Sequence, residues 1–428
     1  MTVKVGLVGT GTVGGGCIDV FNAHTADFKT RYGIDVELVR VCARTSEGAE
    51  KHGVPELYTH DWHKITTDPE IDIVMELMGG TTTAKEVVME ALENGKHVVT
   101  ANKALLAAYG EEIETLAAEK GCEVAYEASV GGGIPIIGPL KHSLIANDIN
   151  SILGIVNGTT NYMLTRMANE GISYEDVLAD AQAKGYAEAD PTADVDGLDA
   201  AAKIAILASI AFNTRVTQDE VSCEGIRSIT TADLAAAADM GYAVKLLASA
   251  NRTEAGIDVR VHPAMVPLDH PLAGVNGVFN AIYVEGDFIG PAMFFGQGAG
   301  SHATASAVMG DVLEVARHIQ AGEKPQQGNT YSDKLPFTNT DDLVTRAYIR
   351  FTVEDRPGVL AAMSAVFADH GVSVYSVIQR GKNEQDAAEV AYVTHSTREG
   401  DLRAVLEDIA KLDHILAGAA PTLIRVIK

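Results

Sequence analysis

Between Ala181 and Lys203 the chain reads AQAKGYAEADPTADVDGLDAAAK, where the carboxylates Glu188, Asp190, Asp194, Asp196 and Asp199 lead up to the ammonium of Lys203. Asp190-Pro191 and Asp196-Gly197 are turn dipeptides, which makes the first part a compact loop. From Gly197 the run LDAAAKIAILASIA is helical, and its spacing sets Asp199 and Lys203 on one face, one turn apart. An ammonium beside a carboxylate can relay a proton, while carboxylates in the loop can hold the positive group of a substrate. A solvated acidic loop followed by a surface ion pair would give the same spacing. Beyond Leu198, however, the helix is almost wholly apolar, so Lys203 is expected to be part-buried, and buried lysines are rare without a partner.

The pattern A-x-x-x-G-Y-x-E-x-D-P-x-x-D-x-x-G-x-D-x-x-x-K runs without a gap from Ala181 to Lys203 and resembles the signature of homoserine dehydrogenases. The resemblance implies interconversion of L-homoserine and L-aspartate 4-semialdehyde with a nicotinamide cofactor, in threonine, methionine and isoleucine biosynthesis. It makes Lys203 the proton-transferring residue and Asp199 the group that orients it. Glu188 and Asp194 then hold the substrate, with Tyr186 of the same motif among its contacts.

Such a site needs elements to position it, and the totals bound what these are. A chain of 428 residues, 46% hydrophobic and 21% charged, is globular, with two or three domains and an ample core. No stretch approaches the roughly 20 apolar residues of a membrane span, and the N-terminus runs straight into a strand, so a soluble, cytoplasmic protein is expected. Four scattered cysteines speak against structural zinc and a disulfide framework. A net charge of -25 argues against nucleic acid as a partner. An anionic cofactor must therefore find local positive charge or oriented N–H groups.

The expected fold is α/β: an N-terminal Rossmann nucleotide-binding domain over 1–134 completed by 300–320, an α+β catalytic and dimerisation domain over 135–299, a linker over 321–346, and a βαββαβ module over 347–428. The strand VKVGLV (Val3 to Val8) is followed by Gly9, Gly11, Thr12, Val13 and Gly14 in a G-x-G-x-x-G turn that opens a helix, the context in which such a motif binds a pyrophosphate. A ligand-free glycine turn is the alternative. The second strand (Val36 to Ala43) ends at Arg44-Thr45-Ser46 rather than at an acidic residue. Arg44 can meet a ribose 2′-phosphate and Thr45 can add a hydrogen bond, so NADP(H) is favoured over NAD(H). Pairing with Glu47 is the alternative role for Arg44. Further strands end at Leu77, before Gly79-Gly80, and at Thr100, before Ala101-Asn102-Lys103. Topology aims Lys103 at the cofactor side, and the resemblance makes it a second active-site lysine. An ordinary helix-start lysine would look the same.

The run from Glu127 through Gly132 to Pro135 reads from its glycines as a hinge. By resemblance it also holds a monovalent cation, sodium, through the backbone oxygens of Glu127, Val130, Gly132 and Ile134, and hard oxygen ligands suit such an ion. Asn157-Gly158-Thr159-Thr160-Asn161 offers N–H and hydroxyl donors at a helix start, suited to a carboxylate or simply to capping. The family carries a similar segment beside its substrate, which places Gly158 and Thr159 there. Gly296-Gln-Gly298-Ala-Gly300 precedes a helix (Thr304 to His318) that by resemblance returns to the nucleotide domain, with Gly298 and Gly300 bordering the nicotinamide. Ala303 and Thr83 stand where the family has prolines, which bears on loop stiffness.

After a polar linker, strands and helices in the order βαββαβ, with Asp355-Arg-Pro-Gly358 at the first turn, resemble the ACT domain, an amino-acid-binding regulatory module. The resemblance implies threonine as the effector and a homodimer or homotetramer, with a module that only aids assembly as the alternative. Two rival functions remain. A semialdehyde dehydrogenase that forms acyl-enzymes needs a nucleophilic cysteine, and none lies in a catalytic-looking loop. A non-catalytic amino-acid sensor would not need the acidic loop with both lysines. No kinase domain is expected ahead of the first strand, which begins at Val3.

Overall fold

The VKVGLV run is apolar at almost every position because a parallel strand is covered on both faces, and Val3, Val5, Leu7 and Val8 are all buried. The computed structural model describes residues 1–323, 325, 330–380, 387–413 and 421–427. Their contacts divide into two units, one made of Met1–Gly158, Asp199–Ser222 and Val278–Leu335, the other of Thr159–Leu198, Cys223–Gly277 and Pro336–Lys428.

In the first unit a parallel sheet has the spatial order Tyr58–Thr59, Val36–Cys42, Val3–Val8, Ile73–Glu76, His97–Thr100, Val124–Ala125. This is the doubly wound order in which a ligand crosses the carboxyl ends of the strands. One face packs the Thr12–Tyr32 helix (Cys17, Ile18, Phe21) together with the returning Ser301–Ala321 helix (Ala305, Val308, Val312) in a single core. The other face is covered by Thr82–Glu93 and Lys103–Lys120 through Val87, Val88, Leu92, Leu105 and Ile113. The chain leaves the sheet after Ala125. The Glu127 carboxylate there accepts N–H bonds from Ile136, Ile137 and Gly138 at 2.5, 2.8 and 2.6 Å, which bends the backbone into a short 3-10 turn. A second, antiparallel group joins Ile149–Ile155, Phe279–Gly286 and Gly290–Gln297.

In the second unit Tyr242–Thr253 and Gly256–Pro267 form a twelve-residue antiparallel pair. Gly256–Pro267 then pairs in parallel with Thr422–Val426 of the C-terminal module, with Ala264 opposite Arg425. The sheet continues through Val344–Glu354 and Ala387–Thr394 to Val374–Arg380. Helices Val359–Asp369 and Glu399–Ile409 bury Met363, Phe367, Leu402 and Val405 against it. The βαββαβ order read from the sequence is therefore present, and its sheet is continuous with the Tyr242–Thr253 and Gly256–Pro267 pair. Part of the expected linker, residues 324 and 326–329, lies outside the described residues. The linker's end is pinned, because Ile257 N donates to Pro336 O at 2.9 Å and Thr338 N to Ile257 O at 2.8 Å.

Candidate functional site

The Leu198–Phe212 helix carries Asp199 in its first turn and Lys203 one turn later, as the spacing required. Lys203 Nζ donates to Asp199 Oδ2 at 2.6 Å and to Val156 O at 2.7 Å. Asn157 Nδ2 donates to the same Oδ2 at 3.0 Å, and Lys103 Nζ lies 3.2 Å from Oδ1. The side chains of Asp199 and Lys203 are 14% and 13% exposed, that of Lys103 39%, so one ammonium is dry and the other reaches solvent. Burial alone pushes the Asp199 carboxyl up. The two ammonium groups and the hydrogen bonds from Lys203 and Asn157 outweigh it and hold the group well below the usual carboxylate range. Asp199 is thus an ionised anchor between two lysines.

Lys103 opens its helix immediately beyond the His97–Thr100 strand, and a chain of polar contacts fixes that corner. Asn102 Oδ1 caps the helix by accepting from Leu105 N at 3.2 Å, while its Nδ2 donates to Gly80 O at 2.6 Å. Asn102 N donates to Thr100 Oγ1 at 3.0 Å, Thr100 Oγ1 to Glu76 Oε2 at 2.8 Å, and Met78 N to Glu76 Oε1 at 3.0 Å. Glu76 is fully buried, and burial raises its pKa against these hydrogen bonds. Sequence reasoning passed over Glu76 and the anchoring role of Asn157. A lone acid at the end of the apolar strand DIVMEL was the available signal.

The glycine turn lies beyond the carboxyl ends of the same parallel strands. Gly9 has φ +107°, and a Cβ there would sit 2.5 Å from Leu77 O; one at Gly14 would sit 1.9 Å from Gly9 O. Gly11 is different, since a Cβ there meets nothing within 4 Å. Its space is open above the N-terminus of the helix that begins at Thr12 and Val13, the room a pyrophosphate needs. Arg44 and Thr45 are exposed past the second strand, and among the described residues no carboxylate pairs with Arg44. Gly79 has φ +75° and Gly300 φ +124°; Gly298 is pressed on Asn280, whose Nδ2 would lie 2.0 Å from an added Cβ. Ser301 Oγ donates to Thr12 O at 2.6 Å, which ties the returning helix to the start of the first.

Around Glu127, Val130, Gly132 and Ile134 the glycines Gly131 and Gly132 have φ +73° and +57°. Among the described residues none of these four carbonyl oxygens accepts a backbone hydrogen bond from outside a helix or strand, so they suit a hard cation. The Glu127 carboxylate is committed to backbone N–H groups, which leaves its carbonyl as the ligand it can offer. The described residues hold no cluster of His, Cys, Asp and Glu side chains fit for a metal. Glu127 N donates to Asp311 Oδ2 at 2.8 Å, and burial pushes that carboxyl up to about 8. A cavity of about 280 Å³ opens beside this pair, and neither Lys103 nor Lys203 is in its wall.

Gly158 starts the Gly158–Glu170 helix, and a Cβ on it would lie 2.9 Å from Val278 O. In the second unit Thr159 Oγ1 donates to Tyr186 O at 2.6 Å, and the Tyr186 ring meets Tyr162 edge-on at 5.1 Å. Glu188 is exposed, with its carbonyl held by Gln182 Nε2 at 3.0 Å. Asp194 lies half-buried in the short Thr192–Val195 helix. The four cysteines are free, and burial pushes Cys17 up to about 12 and Cys42 and Cys223 up to about 11, so these thiols lack thiolate character.

A doubly wound sheet with an open glycine turn, beside a lysine–aspartate–lysine cluster at its carboxyl edge, defines a nicotinamide-nucleotide-dependent dehydrogenase. Comparison with known proteins narrows the class. Family models described as homoserine dehydrogenase, its NAD binding domain and the ACT domain match residues 135–313, 9–127 and 347–414. A homoserine dehydrogenase of Synechocystis sp. is 46% identical over 436 residues, covering all of both chains. One from Bacillus subtilis is 39% identical over 96% of this chain and 95% of its own. A crystal structure of the Thiobacillus denitrificans enzyme superposes with a TM-score of 0.93 at 41% identity, over 100% of this chain and 99% of that one. A hyperthermophilic archaeal homoserine dehydrogenase solved with NADPH covers 74% of this chain and 98% of its own, at 27% identity and a TM-score of 0.64. The chain belongs to the homoserine dehydrogenase family, in the form that carries a C-terminal ACT domain.

Proposed function

We propose that this chain interconverts L-homoserine and L-aspartate 4-semialdehyde, using NADP(H) in preference to NAD(H). The observation that carries the reading is the clasp of one ionised carboxylate, Asp199, between Lys203 and Lys103. When bound, the nicotinamide supplies hydride to the terminal substrate carbon or takes it away. Lys203 has three N–H donors and, among the described residues, uses two, on Asp199 and Val156 O, leaving the third for the substrate oxygen. It gives a proton to that oxygen as the aldehyde is reduced and accepts one in the reverse direction. Lys103, on the solvent side, presents a second cation to the developing alkoxide or passes the proton onward. Asp199 keeps both ammonium groups in place. By resemblance the amino-acid end of the substrate falls to Glu188 and Asp194, with Gly158, Thr159 and Tyr186.

Gly9, Gly11, Thr12, Val13 and Gly14 cradle the pyrophosphate, with Gly79, Gly298 and Gly300 along the cofactor. Arg44, which pairs with no carboxylate among the described residues, supports a 2′-phosphate together with Thr45, as does the NADPH seen in the archaeal relative. Glu127, Val130, Gly132 and Ile134 would hold a monovalent cation that stiffens their turn. The ACT domain supports feedback by an amino acid, threonine being our assignment, in a homodimer or homotetramer. The raised cysteine thiols favour this reaction over acyl-enzyme chemistry. Initial rates with homoserine and each oxidised nucleotide, with and without threonine, test the reading. Steady reduction, faster with NADP+ and slowed by threonine, is the expected result; tight threonine binding without turnover would replace the enzyme by a sensor.

A further inference from the structure

The second unit contains a polar construction that the reaction does not use. Residues 223–227 lie against the acidic loop like a strap. Cys223 Sγ approaches Asp196 O at 3.1 Å, Ile226 N donates to Val195 O at 2.8 Å, and Arg227 Nε and Nη2 reach the two Asp196 carboxylate oxygens at 2.5 and 3.2 Å. The fit depends on glycine, since a Cβ on Gly225 would sit 2.2 Å from Val195 O and one on Gly197 2.9 Å from Cys223 Sγ. The strap's other side faces the C-terminal module. Arg425, on the module's last strand and 7% exposed, forks onto Glu224, Nη1 to Oε2 and Nη2 to Oε1, both at 2.8 Å. Its Nε and Nη2 also bind Glu399 at 2.7 Å, and Glu399 in turn accepts from Arg260 Nη1 at 2.5 Å. Just beyond the strap, Thr422 Oγ1 donates to Ser228 O at 3.2 Å, and the fully buried Asp233 accepts from Arg350 Nε at 2.6 Å and from Tyr348 OH at 3.0 Å.

Bidentate arginine–carboxylate pairs fix direction as well as distance. Glu224 is also held through its backbone, whose N–H donates to Val261 O at 2.8 Å on the strand that pairs with the module. The position of 223–227 is therefore set from the module side, and the position of 192–197 is set by 223–227. We infer that Glu224 and Arg425 are positioning residues for amino-acid recognition, through which the C-terminal module holds the acidic loop of Asp194 in its substrate-binding form. This rests on the reading above that the loop grips the substrate.

The test uses the full chain carrying Glu224→Gln, Arg425→Met or Gly225→Ala, each checked by thermal melting. Glu224 is 42% exposed, so Glu224→Gln keeps the fold even where Arg425→Met does not. Losing a charge-assisted fork should raise KM for homoserine about tenfold or more, with KM for NADP+ within about twofold. Hydrogen exchange at the amides of 194–197 should accelerate in the same variants. Unchanged exchange there in a folded Glu224→Gln protein overturns the strap. Faster exchange with an unchanged homoserine KM overturns the role in recognition. If the unsubstituted chain fails to oxidise homoserine, the proposed function fails, while the exchange measurement still decides the strap.

Discussion

Replacing Lys203 by methionine keeps an unbranched side chain of similar length and removes the ammonium. In the native site that side chain is 13% exposed, and its ammonium donates to Asp199 at 2.6 Å and to Val156 O at 2.7 Å. Loss of a positioned general acid typically costs ~10²–10⁴-fold in rate. With no other group as close to the anchor, we expect a fall of about 10³ in kcat, or roughly 4 kcal/mol. Folding should suffer less. Stranded acceptors cost ~1–3 kcal/mol, and Asn157 and Lys103 still hold Asp199, so about 1 kcal/mol is expected. The assay is initial-rate NADP+ reduction beside a fluorescence titration of NADPH and a thermal melt. NADPH affinity should stay within about threefold, because uniform binding and transition-state chemistry are separable. A variant that kept more than about a tenth of the native kcat would refute Lys203 as the proton carrier. Parallel loss of nucleotide binding and melting temperature would mean that the substitution had merely unfolded the site.

Arg44→Ala should lower kcat/KM for NADP+ by about tenfold, some 1.4 kcal/mol, and leave that for NAD+ nearly unchanged, as paired initial rates would reveal. Thr100→Val deprives the buried Glu76 of its 2.8 Å donor; a loss of roughly 1–2 kcal/mol in urea melts, with a higher KM for the nucleotide, is expected because the Met78–Gly80 turn depends on that carboxylate. The arginines around Glu399 overcome its burial and hold its carboxyl at about 2. The folded pKa lies below the ordinary value, so the stabilisation is present above about pH 4.5 and is lost as pH falls toward 2. The melting gap between native and Glu399→Gln chains should therefore narrow from pH 6 to pH 3, and a constant gap would contradict the pairing. Replacing sodium by a bulky quaternary ammonium ion should slow turnover and leave the melting curve nearly unchanged if the carbonyl turn holds a cation.

Some features were legible because they are local. Gly9, Gly11 and Gly14 announce a strand–turn–helix, and the structure has it, with a positive φ at Gly9, a close approach at Gly14 and open space at Gly11. Others were misread for equally local reasons. The Gly290–Gln297 strand was missed because Gly290, Pro291 and Gly296 look like turn signals, yet it lies at the end of the sheet order, and an edge strand tolerates the missing N–H of Pro291. The Val124–Ala125 strand is short because the Glu127 carboxylate turns toward N–H groups that come later in the chain.

The amino-acid order by itself placed Asp199 and Lys203 together, since a helix of 3.6 residues per turn leaves positions four apart on one face. It also laid out the nucleotide turn and the βαββαβ module, whose periodicities are properties of single elements. Only the folded chain decided that Lys103, at the start of another helix, closes on the second oxygen of Asp199, that Val156 O and Asn157 complete the anchor, and that Arg425 reaches back to Glu224. Each of these contacts joins segments far apart in sequence. Their distances are set by how sheets and helices pack as a whole, and no repeat within one segment carries that information.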